Sequence, residues 1–440
     1  MPLSEWKEYN FSDLGEIKTG KTPPTKNGNV FGDFIQFVTP SDITNQKYIR
    51  QTARSLSREG FDKVSTCKLP KDSIIVTCIG SDMGKVVVSG NDCVTNQQIN
   101  SIIVNKDKFS VDFIYYNFSL RKKEFFNLAS GGSTMPILNK TSFSNLKIKL
   151  PPLPQQRDIA EILSPFDDKI ELNNQMNKTL EEIAQTIFKS WFVDFEPVKA
   201  KEEGLHPANM NSEIADLFPD EVEESEIGLI PKGWKIESLG NVTTYFKRGI
   251  SPKYVEQDGI LVINQRCIRD MRLNLENSRR HDESKKNVEG RLLEIGDILI
   301  NSTGVGTLGR VAQVEFLPER AVVDSHVTVV RADQNRVTKT YLGLELLRRQ
   351  QEIESLGEGS TGQTELSRER LAALKLIIPE LDNEIKLQKK FEDLIKPIRE
   401  KMYENELQSQ NLATIRDLLL PKLISGDLPV KDADKFIQGA

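Results

Sequence analysis

The chain has 440 residues, 38% hydrophobic and 28% charged, with a formal net charge of −5. That length predicts two to four domains, each able to bury its own core. No apolar run approaches the ~20 residues a membrane helix needs. The N-terminal MPLSEWKEYNF lacks the basic-then-apolar pattern of a signal peptide. Cys67, Cys78, Cys93 and Cys267 show no paired short spacing, which argues against a disulfide scaffold and predicts reduced thiols in a cytoplasmic protein.

Residues 1–150 carry 20 Lys and Arg against 14 Asp and Glu, a net of +6, and read as a first mixed α/β head. The β-branched runs Ser73–Ile79, Lys85–Ser89 and Ile99–Val104 predict strands, Val111–Leu128 an amphipathic helix, and Leu146–Leu150 a last strand. The break LPPLPQQ ends this head. Residues 151–198 then predict one long helix, because Ile159, Leu163, Phe166, Ile170, Leu180, Ala184, Ile187 and Trp191 recur by threes and fours as a heptad seam. Residues 199–230 are acidic and Pro-broken, predicting an extended, exposed linker; residues 151–230 together carry a net of −12. Residues 231–378, net +3, predict a second head with strands at Asp297–Asn301, Arg310–Val314 and Val327–Val330, a helix over Lys339–Leu356, and a strand at Leu374–Ile378. Residues 379–428 predict a second long helix, with Leu387, Phe391, Leu394, Ile398, Leu412, Ile415 and Leu419 in its seam and Pro397 as a kink or late start. Residues 429–440 form a C-terminal tail.

The chain is therefore written twice. Leu14/Leu239, Gly15/Gly240, Gly84/Gly309 and Lys85/Arg310 match at an offset of 225, and Val94/Val322, Leu138/Leu366 and Pro151/Pro379 at 228. Carried into the helices, the 228 offset pairs Leu163 with Phe391 and Asn177 with Asn405. Asn173 and Asn177 interrupt one seam and Lys401 and Asn405 the other; a seam Asn fixes register if buried, or else lies on a solvated stretch. The predicted fold is α+β with mixed α/β heads: two similar globular heads separated by two long antiparallel helices in a coiled coil, pseudo-two-fold symmetric. Leu163, Phe166, Ile170, Asn177, Leu180 and Ile187 would pair with Phe391, Leu394, Ile398, Asn405, Leu412 and Ile415. The first helix, over Gln155–Val193, would be about 58 Å long at ~1.5 Å per residue, a ruler between the heads.

Catalytic chemistry is hard to find. Gly304-Val-Gly306-Thr-Leu-Gly309 matches GxGxxG and keeps open a nucleotide-binding enzyme, but a strand-like run follows it where a helix is required. His206, His281 and His326 lack metal spacing. No GxSxG and no acid- or amide-Pro-Pro-aromatic motif occurs. A coiled-coil protein adaptor is a further alternative. Two basic heads instead favour a polyanion, and both offer polar loops of the kind that contact bases and phosphates. The candidate DNA contacts are Lys21, Thr22, Ser41, Ser81, Lys85, Asn96, Gln97, Ser133 and Thr134 in the first head. In the second they are Lys247, Arg248, Gln265, Arg266, Arg279, Arg280, Thr303, Arg310, Ser325, Thr361 and Gln363.

The strings LPPLPQQRDIAEIL, FKSWFVDFEPV, FPDEVEESEIGLIPKGW and LLLPKLISGDL resemble the conserved regions of the specificity subunit of type I restriction–modification systems, and the resemblance spans essentially the whole chain. It implies a non-catalytic subunit whose two heads are target recognition domains, each binding one half of a split asymmetric double-stranded DNA site, with the helices setting the gap. It implies two methyltransferase subunits docked on the helices and heads, with Trp191 and Phe192 as candidate docking residues, and two restriction/translocase subunits. It implies that this chain binds no cofactor, S-adenosylmethionine, ATP and Mg being used by the partners.

Overall fold

A computed structural model describes residues 6–24, 29–44, 46–80, 83–129, 137–304, 306–358, 365–379 and 384–433. The chain forms two compact units, one of residues 1–175 with 405–440 and the other of residues 176–404. Each unit holds one head and half of each long helix.

In the first unit the apolar runs build a five-stranded sheet in the order Gly15–Thr19, Ile99–Val104, Ile74–Thr77, Val86–Ser89, Tyr48–Ile49. Its pairs are antiparallel except the last. A smaller four-stranded sheet runs Phe31–Gly32, Ser55–Leu56, Ile35–Val38, Cys93–Thr95. Lys7–Asn10 pairs with Lys147–Leu150. The core joins Phe11, Phe113, Phe118, Phe125 and Phe143 to Leu163 of one long helix and Leu419 and Leu423 of the other. Phe11 stacks on Phe118 at 4.4 Å and meets Phe143 edge-on at 5.1 Å, geometries the ring quadrupole favours.

The second unit repeats this plan. One sheet runs Thr243–Arg248, Val327–Ala332, Ile298–Asn301, Val311–Gln313. The other runs Tyr254–Val255, Arg279–His281, Ile260–Ile263, Ala321–Val323. Lys235–Ser238 pairs with Lys375–Ile378. In both heads the predicted helix is two, Val111–Ser119 with Lys122–Ala129 and Lys339–Arg348 with Gln350–Ser355. An arginine at each junction explains the break: Arg121 donates to Lys147 O at 2.8 Å and Arg349 to Lys375 O at 2.6 Å, tying the bend to the last strand.

The long helices are Leu153–Phe192 and Lys386–Ser425. Within each unit their halves pack with opposed chain direction: Asn173 reaches Asn405 O while Asp167 pairs with Arg416, and Asn177 reaches Met402 O while Phe188 meets Phe391. Ser110 N–H donates to Gln156 Oε1 and Gln156 Nε2 to Pro151 O; Thr338 N–H donates to Gln388 Oε1 and Gln388 Nε2 to Pro379 O. The heads' partners in these bonds are 228 residues apart, yet the glutamines are 232 apart. Four extra residues thus precede the second helix, and true helix counterparts are Leu163 with Ile395 and Asn173 with Asn405. Pro165 and Pro397 become counterparts too. Both helices continue through their prolines, so no late start falls at Pro397. Both prolines are exposed, where water can solvate the carbonyl each leaves unbonded.

This insertion corrects the seam. Leu163, Asn177, Phe391 and Asn405 are buried, and Phe166, Ile170, Leu180, Ile187, Ile398, Leu412 and Ile415 half-buried. Leu394 is exposed and Ile395 is buried in its place; Lys401 is exposed and Met402 buried. Asn173, Asn177 and Asn405 are all at most 4% exposed, so the polar middle is a buried seam and not a solvated stretch.

Residues 199–230 are mostly exposed, as expected, but they are more ordered than an extended linker. Glu196–Glu202 and Ser212–Ala215 are helical and Val222–Ser225 pairs with Gly228–Pro231. Phe218 is buried in the second unit's core and Met210, Ile214, Leu217 and Val222 pack against it, giving this acidic stretch an apolar underside, while Phe195, Val198 and Trp234 anchor its two ends.

Candidate nucleic-acid interface

In the first head, main-chain bonds gather four loops. Lys21 N–H donates to Thr95 O at 2.9 Å, Asn96 N–H to Val38 O at 3.0 Å, and Cys78 N–H to Gln98 O at 2.8 Å. The second head repeats all three: Ile250 N–H to Val323 O at 2.9 Å, Asp324 N–H to Ile263 O at 3.0 Å, and Ser302 N–H to His326 O at 2.8 Å. The crossing requires a glycine in each copy. A Cβ on Gly20 would lie 2.2 Å from Asn96 O, and one on Gly249 2.1 Å from Val323 O. The scaffold is therefore duplicated bond for bond.

The side chains it carries differ. In the first head Lys21, Thr22, Ser41 and Gln97 are exposed, Lys85 is half-buried and Asn96 is buried. Thr22 Oγ1 donates to Gln97 Oε1 at 2.6 Å, bringing two candidates together. Asn96 is turned inward onto Gln98, its Oδ1 accepting that residue's N–H at 3.0 Å, so it shapes the loop from beneath. Thr39, which sequence reasoning passed over, opens the turn holding Ser41: Asp42 accepts its N–H at 2.8 Å and its hydroxyl at 2.6 Å. The Thr-x-x-Asp spacing is a capping-box signal that could have found it.

In the second head Gln265, Arg266, Thr303, Arg310 and Ser325 belong to the equivalent loops. Arg266 is exposed, in a turn closed by Asn264 Oδ1. Thr303 Oγ1 lies 2.7 Å from His326 Nδ1, and Arg310 donates to Gly306 O at 2.8 Å. Gln265 Oε1 is buried without a hydrogen-bond partner among the described residues. Burial pushes the Asp324 carboxyl above the usual carboxylate range, against the pull of the His326 N–H.

Lys247, Arg248, Arg279 and Arg280 lie outside this cluster, on strands. Lys247 is exposed, 5.5 Å from the Tyr245 ring. Arg248 pairs with Glu365, and Arg280 with Glu319 at 2.7 Å, which compensates their charge within the head. Arg279 stacks on Tyr254 at 3.5 Å. Ser81, Ser133, Thr134, Thr361 and Gln363 lie outside the described residues.

One expectation is corrected, and the strand expected after the GxGxxG segment is found. Trp191 and Phe192 are 7% and 2% exposed, packed on Phe391 at 5.5 and 5.1 Å, so they are core and offer no docking face. The GxGxxG segment joins Ile298–Asn301 to Val311–Gln313, which pair antiparallel. It is a hairpin turn with no helix to meet a pyrophosphate, and the nucleotide-binding reading loses its support. Among the described residues no helix is long and apolar enough to cross a membrane, and no group of three or more His, Cys, Asp or Glu could hold a metal ion.

Known proteins share this plan. The Type I restriction enzyme MjaIX specificity subunit of Methanocaldococcus jannaschii is 29% identical over 437 residues, covering 97% of this chain and 94% of that one. The Type I restriction enzyme HindI specificity subunit of Haemophilus influenzae is 25% identical over 481 residues, covering 97% and 100%. The crystal structure of a Type-I restriction-modification system S subunit from M. genitalium matches with a TM-score of 0.51 at 17% identity, covering 95% and 96%, a likeness of fold. The model of the type I restriction modification DNA specificity domain matches residues 3–182 and again 231–411, one match per copy. The chain belongs to the type I restriction–modification specificity subunit family, with two DNA-recognition domains in a single polypeptide.

Proposed function

We propose that this chain is the non-catalytic sequence-recognition subunit of a type I complex. Each head reads one half of a bipartite, asymmetric double-stranded DNA site, and the paired helices set the unread gap and dock the methyltransferase subunits. One observation carries the reading: the heads share their loop scaffold bond for bond, while the side chains on it differ. Lys21 faces Ile250 across the repeat, Ser41 faces Arg266 and Gln97 faces Ser325. Side chains of these types contact base edges and phosphates in the grooves, so unlike sets on like scaffolds suit two unlike half-sites. In this reading the complex holds two methyltransferase and two restriction/translocase subunits, acts on cytoplasmic DNA, and takes S-adenosylmethionine, ATP and Mg through those partners.

The test is co-expression with the methyltransferase subunit, followed by genome-wide mapping of methyladenine. A single split motif with a constant gap supports the proposal. A continuous motif, or methylation unchanged when this chain is omitted, overturns it.

A further inference from the structure

The second sheet of each head has, on one of its strands or next to it, an arginine that the loop cluster does not use. Strand register identifies the two as counterparts. Leu56 pairs with both Phe31 and Ile35, and His281 with both Tyr254 and Ile260, so Leu56 answers to His281 and Arg54, two residues earlier, answers to Arg279. Both guanidinium groups lie over the aromatic ring opposite that position: Arg54 is 4.8 Å from the centre of Phe31 and Arg279 is 3.5 Å from that of Tyr254. Both arginines are exposed, and among the described residues neither has a carboxylate in ion-pairing range, unlike the neighbouring Arg280. Each is tied to the loop cluster by the same segment. Asp42 Oδ1 accepts the N–H of Ala53 at 2.8 Å, and Asn264 Nδ2 donates to Asn277 O at 2.6 Å.

We infer that Arg54 and Arg279 are paired phosphate clamps, one per head, that fix the register of each recognition domain on the duplex without reading sequence. The inference rests on the DNA-reading proposal and adds a division of labour to it. Side chains that read bases must differ between heads that read different half-sites. A side chain that meets the same chemical feature in both must not. The loops differ at position after position, whereas the stacked arginine persists, and phosphate is the feature every half-site presents. A ring beneath the guanidinium restrains it while leaving its N–H edge free for phosphate oxygens.

The experiment measures binding of the full chain, assembled with its methyltransferase subunit, to a 40-bp mixed-sequence duplex (about four helical turns) and to a duplex carrying the mapped motif, from 50 to 200 mM salt. Each phosphate that the protein no longer neutralises lowers the salt slope by about 0.9. Arg54→Gln should therefore weaken binding about 3.5-fold more at 50 mM than at 200 mM, and the double variant with Arg279→Gln about 12-fold more, equally on both duplexes. Arg54→Lys and Arg279→Lys, which keep the charge, should restore most of the slope, and the methylated motif should not change. An unaltered slope overturns the inference, as does a loss confined to the motif duplex, which would make these residues base readers. Loss of the methyltransferase subunit from the variant complex overturns it in favour of a protein contact. If the wild-type complex itself binds both duplexes without salt dependence, it is the underlying DNA-reading proposal that fails.

Discussion

Removing the carboxylate of Asp167 should open the first unit while leaving the second closed. Asp167, its side chain 3% exposed, lies in the helix seam between the Tyr116 hydroxyl, which donates to it at 2.5 Å, and the guanidinium of Arg416. It thereby joins the head to both long helices. Burial of Tyr116, and next the negative charge of Asp167 beside it, push the Tyr116 hydroxyl well above the ordinary tyrosine range. Asp167→Ala leaves a largely buried guanidinium and a buried hydroxyl without this acceptor, and breaking a buried pair from one side costs about 3–5 kcal/mol. At about 1.4 kcal/mol per decade, that is roughly two to four orders of magnitude in the local opening constant. Amide hydrogen exchange reads it directly, because slow amides report the opening free energy of their own cooperative segment. The helix amides of residues 153–175 and 405–425 should exchange faster by that factor, and those of the sheet containing Ile298–Asn301 should not. Replacing Tyr116, Asp167 and Arg416 together by Phe, Leu and Leu should recover most of the loss, since an apolar substitute for a buried pair is often neutral or better. Acceleration under tenfold in Asp167→Ala, or equal acceleration in both units, would refute the account of this network.

Gln388→Ala should destabilise the junction of the second head and its helix by about 1–3 kcal/mol, because Thr338 N–H and Pro379 O each lose a buried partner; exchange at Thr338–Leu342 checks it, and protection equal to wild type would count against the counterpart assignment. Trp191→Ala should cost the second unit about 3–5 kcal/mol, as an aromatic core truncation does, and thermal melting should show it in the isolated chain; a variant as stable as wild type that has lost its methyltransferase subunit would restore Trp191 as a docking residue. Lys47 is 3% exposed; burial opposes its charge, yet Asp112 at 2.7 Å holds the ammonium above the ordinary lysine range. A raised folded pKa means its contribution is complete below about pH 10 and fades as pH climbs through the folded value. Melting from pH 8 to 11.5 should show wild type losing more stability than Lys47→Met across that interval, and parallel curves would contradict the pairing.

The duplicated plan was legible because strands such as Ile74–Thr77 and Ile298–Asn301 are continuous apolar runs, and because the repeat aligns them. The two-residue strands Phe31–Gly32 and Tyr254–Val255 were not, since two residues show no period; with them the Arg54–Phe31 pair stayed hidden. The helix seam was read one position off at Leu394 for a specific reason. A four-residue insertion moves a heptad pattern by about one turn, so apolar residues still meet apolar residues at the wrong offset. Only the bonds of Gln156 and Gln388 to their heads expose the shift. Asp167 was missed because its partners lie 51 and 249 residues away. Trp191 and Phe192 were misplaced because an aromatic pair at a helix end suits a docking face and a core equally well. The core that claims them draws on Phe218, Trp234 and Phe391, and the acidity of residues 199–230 masked the apolar residues among them.

The central claim is that each head reads its own half of one split site. The most direct measurement exchanges residues 231–378 for the second head of a relative with a different target and maps methyladenine across a genome expressing the chimera with its methyltransferase subunit. The account predicts a motif in which one half and the gap are retained and the other half becomes that of the relative. A motif unchanged in both halves, or altered in both, would contradict it.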